Sequence, residues 1–147
     1  QTCALPILKA EGAIMFNCAA TYTHQCMTGI SQIWSLQGGG GIRISTLETA
    51  IEEKDGVPVV RIRQHAGPRN SRPSPEAVMA VRELRRQLAA KPDILRQYLH
   101  WKNTTAAIPV SERRYAASIG VIITALNEVL PRHWRFDELL ARVVSEC

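Results

Sequence analysis

The chain has 147 residues, with 18 Lys plus Arg, 13 Asp plus Glu and a formal net charge of +5, which bounds it to one ordinary domain with at most an appendage. Its 46% hydrophobic and 21% charged content is that of a globular protein and excludes general disorder. No apolar run reaches the roughly 18–20 residues that cross a bilayer, and the four scattered cysteines are too few for a disulfide scaffold and fit a reducing bacterial cytoplasm.

Residues 1–7, Gln-Thr-Cys-Ala-Leu-Pro-Ile, read as the translation of a sequencing adapter. The expectation is a gene fragment whose true start is missing and whose first residues stand outside the fold. Asn17 to Met27 then reads as a short helix. Met15, Cys18, Tyr22 and Cys26 recur at spacings of three and four, which is one helical face. Asn17 is placed to cap this helix and Gly29 to stop it.

The period then changes. Gln32 to Leu36 is a strand, and the Gly38–Gly41 run is a loop. That run lacks the Lys-Ser/Thr of a phosphate-binding loop and reads as a hairpin tip. Ile42 to Ile51 is a second strand whose alternation slips, which predicts a bulge near Ser45-Thr46. Lys54-Asp55-Gly56 signals a hairpin turn. Val57 to His65 is a third strand, with Val60, Ile62 and Gln64 toward the core and Arg61, Arg63 and His65 on the opposite face.

A Pro- and Gly-containing loop, residues 66–73, follows. Ser74-Pro75-Glu76 then opens a helix with an N-cap, Pro at the first position and an acid in the first turn. Its apolar stripe is Val78, Val81, Leu84 and Leu88. Beyond Pro92 the chain reads as helical: a stretch with Ile94, Leu95, Tyr98, Leu99 and Trp101, a longer helix from Ser111 to about Leu130, and a last short helix with Phe136, Leu139, Leu140 and Val143. The expected fold is therefore α+β, with a three-stranded antiparallel meander packed against helices over residues 8–90 and a helical extension over 91–147.

The charge is concentrated. Residues 61–114 carry 12 basic and 4 acidic side chains, net +8, between segments of net −2 and −1. Such a zone attracts an anionic partner, either nucleic acid or an acidic protein. Arg61, Arg63, His65, Arg69 and Arg72 form a ribbon-and-loop group, and Arg82, Arg85 and Arg86 lie on the following helix. No Phe, Tyr or Trp stands between Trp34 and Tyr98, so the composition allows phosphate contact rather than base stacking.

Glu11-Gly12, Cys18, Tyr22, Gly29, Trp34-Ser35-Leu36, Thr46-Leu47-Glu48 and Gln64-x-x-Gly67-x-x-Asn70 follow one another in an order that resembles the PcfJ-like family of conjugative plasmids, phages and other bacterial mobile elements. The match covers about residues 11–88. Tyr22, Glu48 and Gly67 are family-motif positions on this resemblance. The His that precedes the family's Cys is Asn17 here, and the Val that follows it is Ala19. The resemblance implies a mobile-element setting and no particular reaction.

A second reading makes the chain a cysteine-dependent enzyme. Cys18 in the first turn of a helix feels the positive end of the helix dipole, with His24 or His65 as base and Gln64 and Asn70 as amide donors. The residue types favour the plainer reading, Cys18 as a small buried residue beside Met15 and Tyr22. Cys18, His24 and Cys26 match no usual zinc spacing. No metal or other cofactor is therefore expected.

Overall fold

The computed structural model describes residues 9–13, 28–104, 130 and 133–138. The helices expected at Asn17–Met27 and Ser111–Leu130 lie outside these residues, Leu130 excepted. Four strands form one antiparallel sheet: β1 (Gln32–Gln37), β2 (Arg43–Lys54), β3 (Val57–Ala66) and β4 (Arg135–Glu138), in the order β3-β2-β1-β4. Two helices, α1 (Pro75–Ala89) and α2 (Pro92–Thr104), complete an α+β fold.

The sheet therefore has four strands where the sequence suggests three. Phe136, expected in a terminal helix, lies in β4, which pairs with β1 through Leu36 opposite Phe136. Arg-Phe-Asp-Glu has one apolar residue and no period of its own. Only pairing with a strand almost a hundred residues earlier makes it β.

The turns form where local chemistry demands them. Asp55 and Gly56, with φ of 53° and 78°, make the two-residue hairpin turn that requires positive φ at both positions. The glycine run closes the β1–β2 hairpin through Gly38 N–H to Ile42 O at 2.7 Å. The Ser74 hydroxyl accepts from the Ala77 N–H at 3.2 Å and caps α1 as expected.

Leu47 and Ile51 of β2, Trp34 and Leu36 of β1, Val60 of β3 and Phe136 of β4 share the face that the helices cover. α1 buries Ala77, Ala80, Val81, Leu84 and Leu88 there, and α2 buries Leu95, Tyr98, Leu99 and Trp101. Val78, expected in the α1 stripe, instead lies 37% exposed. The opposite face carries polar side chains, several of them buried: Ser35, Gln37, Glu48 and, from the helical segment at residues 9–13, Glu11. Glu11 accepts from Arg43 Nε at 2.7 Å and from the Thr46 hydroxyl at 2.5 Å. A fully buried carboxylate is thus paired and hydrogen-bonded, as burial of a charge requires.

Two irregularities set which side chains face where. On β2, Ile44 is the extra residue between Arg43, opposite Gln37, and Ser45, opposite Leu36, one position before the expected bulge. On β3, Arg63 is extra between Ile62, opposite Thr49, and Gln64, opposite Glu48. That second bulge reverses the parity of the strand's end. Gln64 leaves the core side and is exposed. His65 turns from the arginine face to the helix-covered face, opposite Leu47, with its Nε2 2.8 Å from the Ser45 hydroxyl oxygen.

Candidate nucleic-acid interface

The basic residues fall into two groups that the sequence does not distinguish. Arg61 and Arg63 belong to the sheet face turned away from α1 and α2. Arg61 is 3.1 Å from Glu52, and Arg63 is 3.8 Å from both Glu48 and Glu52. These four side chains form an alternating ladder across β2 and β3. The Glu48 carboxylate also accepts from the Ser31 hydroxyl at 2.6 Å. The two arginines thus meet carboxylates of their own sheet, and their charge is largely answered there.

The second group lies on the helical side. Arg82 and Arg86 point away from the apolar stripe of α1 and Arg85 flanks them; all three are exposed. Arg86 is held by Glu83 in a two-pronged pair, Nη2 to Oε1 at 2.6 Å and Nε to Oε2 at 3.0 Å. The Arg86 hydrogen bond, helped by the Gln87 amide, lowers the Glu83 carboxyl to about 2, and the same bond raises the Arg86 guanidinium. Arg72, Arg82 and Arg85 make no hydrogen bond or ion pair among the described residues.

Charge therefore segregates by layer. Residues 32–66, the three-stranded meander, hold four basic and four acidic side chains, net zero. Residues 67–104, the loop and both helices, hold eight basic and three acidic ones, net +5. Lys91 in the α1–α2 turn and Lys102 on α2 belong to this layer. Sequence reasoning did not single them out, because the basic zone was drawn across a strand and a helix together.

The loop between β3 and α1 is tightly built. Gly67 N–H donates to Ser71 O at 2.8 Å, and Ser71 N–H to Pro68 O at 3.0 Å. A Cβ on Gly67 would come within 2.8 Å of the Ser71 hydroxyl oxygen, which accounts for glycine there. Arg69 and Asn70 both adopt left-handed backbone, φ 57° and 58°, a conformation Asn tolerates and Arg adopts at some cost. Both side chains are exposed, as is Arg72.

The described residues cover the cysteine-based reading only in part. Cys18, Tyr22, His24 and Cys26 lie outside the described residues. Gln64 sits on the sheet and Asn70 at the loop tip, both exposed. Burial lowers the His65 imidazole and its face is the core. No group of three or more His, Cys, Asp or Glu among the described residues could hold a metal. No described helix is long and apolar enough to cross a membrane.

On the sheet face turned away from the helices Glu11 bonds Thr46 and Glu48 pairs with Gln64 in register, while Trp34, Leu36 and Leu47 lie on the other face. No protein-family model, curated protein or solved structure matches the chain.

Proposed function

We propose that the chain is a PcfJ-like accessory protein of a bacterial mobile element that binds nucleic acid through its helical layer. The observation that carries this reading is the segregation of charge, a neutral meander against a loop-and-helix layer of net +5. Arginines held by carboxylates of their own sheet contribute little to an external field. Arg72, Arg82 and Arg85, which have no partner among the described residues, present their full charge to a polyanion. The interface is thus the 69–72 loop and the outward side of α1. Arg61 and Arg63 are no part of it.

The test compares two double reversals, Arg82→Glu with Arg85→Glu and Arg61→Glu with Arg63→Glu, by fluorescence anisotropy on labelled nucleic acid. The first pair is expected to lose about tenfold or more in affinity and the second to change it little. Equal losses, or no binding by the unmodified protein, would overturn the reading. Binding to poly-glutamate with none to nucleic acid would assign the surface to an acidic protein instead.

A further inference from the structure

Resting on that reading, we infer that the nucleic acid is duplex DNA, met along its phosphate backbone by the outward ridge of α1 without reading of base sequence. The first ground is where the aromatic rings are. Non-specific single-strand binders stack bases on exposed rings within a basic groove. Here Trp34, Tyr98, Trp101 and Phe136 are all 7% exposed or less, packed in the core. Trp134 is partly buried against the same core. No ring among the described residues stands on the α1 surface.

The second ground is shape. Arg82 and Arg85, unpaired among the described residues, stand on a 15-residue helix, about 22 Å of convex cylinder. A single strand follows a groove. A cylinder of this size is what the roughly 12 Å wide major groove of B-form DNA admits between its phosphate walls. The deep, narrow major groove of A-form RNA does not admit it. Arg82 and Arg86 lie one turn apart, and Arg85 sits on the flank, so the ridge presents guanidinium groups at intervals along its length. Arg72 stands in the loop just before α1 in the chain and is exposed.

The third ground is what lies between the arginines. Met79 and Val78, 60% and 37% exposed, are the neighbours of Arg82 on the ridge. α1 carries no Asn, and its single Gln, Gln87, donates to Glu83 at 3.0 Å. On this inference the guanidiniums serve phosphates, which position a protein on DNA and carry no sequence information, and a comparison of two DNA sequences tests this against arginine contacts to guanine.

The experiment measures anisotropy with the full chain on three probes of equal length, each about two helical turns: a random-sequence DNA duplex, its single strand and the matching RNA duplex. The DNA duplex is expected to bind about tenfold tighter than either of the others, a second unrelated DNA duplex is expected to bind equally, and Arg82→Glu with Arg85→Glu is expected to remove the preference. Circular dichroism of the variant confirms that it is folded. Single strand or RNA bound as tightly as DNA duplex overturns the duplex assignment and leaves nucleic-acid binding standing. A strong preference between the two DNA sequences overturns the phosphate-only mode. Absence of binding to all three overturns both this inference and the reading it rests on.

Discussion

Glu83 grips Arg86 one turn further along α1, with two hydrogen bonds of 2.6 and 3.0 Å, and so withdraws one guanidinium from a ridge on which Arg82 and Arg85 have no partner among the described residues. The ridge therefore carries its own brake. Glu83→Gln removes the carboxylate charge and keeps a side chain that can bond Gln87 and the Arg86 guanidinium. Duplex affinity is expected to rise, and the dependence of log K on log salt to steepen by about 0.9, one further phosphate contact. An unchanged slope would show that Arg86 does not reach the DNA. Folding stability is expected to change little, since solvent screens such exposed pairs.

The interface depends on α1 and α2 being fixed to the sheet. A buried polar chain crosses the core to hold α2: Trp34 Nε1 donates to the Thr49 hydroxyl at 2.9 Å, Thr49 to Gln32 Oε1 at 2.9 Å, and Gln32 Nε2 to the Tyr98 hydroxyl at 2.7 Å. Tyr98→Phe keeps the ring and its packing on Trp101, centroids 5.4 Å apart, and leaves the Gln32 amide only the long 3.5 Å contact to the Gly29 carbonyl. The expected cost is about 1–3 kcal/mol in urea unfolding. A loss of under about 0.5 kcal/mol would mean that the amide finds another acceptor.

His65 links the ends of β2 and β3 beneath the loop of the interface. Burial lowers its pKa below the ordinary 6.5, so the neutral ring is the form the fold favours. The unfolded chain binds the proton more readily. The His65 contribution is fully present above about 6.5 and is lost as pH falls through the lower folded-state value. The urea midpoint is expected to drop between pH 7.5 and 5.5. His65→Gln, which can still accept from Ser45, is expected to show a smaller drop. The same pH dependence in both proteins would assign it to other groups.

The legible parts of this fold are those written in local chemistry. The glycine run, Asp55-Gly56 and Ser74-Pro75-Glu76 each specify their turn or cap through backbone requirements of a few residues, and each forms as read. The Arg63 bulge is not written this way. Val-Val-Arg-Ile-Arg-Gln-His alternates without interruption, and the extra residue exists only in the pairing with Glu48 and Thr49 of β2. Gln64 and His65 were misplaced for that reason. β4 was missed for the same kind of reason, since four residues take their conformation from β1.

The basic surface was legible as a quantity and not as a place. Counting charge along residues 61–114 finds the excess, and it cannot tell that Glu48 and Glu52 answer Arg61 and Arg63 across the sheet. Glu11 was visible in the motif order. Its burial against Arg43 and Thr46 depends on a contact across more than thirty residues.

The central claim is that the helical layer, and not the meander, meets the nucleic acid. Its most direct test is the salt dependence of duplex binding in the unmodified protein and in the two double reversals. Arg72, Arg82 and Arg85, the three arginines of this surface without a partner among the described residues, predict a log–log slope of about −2.7. The account predicts that reversing Arg82 and Arg85 flattens the slope to about −1 or abolishes binding, while reversing Arg61 and Arg63 leaves it near its original value. A slope that flattens equally when Arg61 and Arg63 are reversed would contradict it.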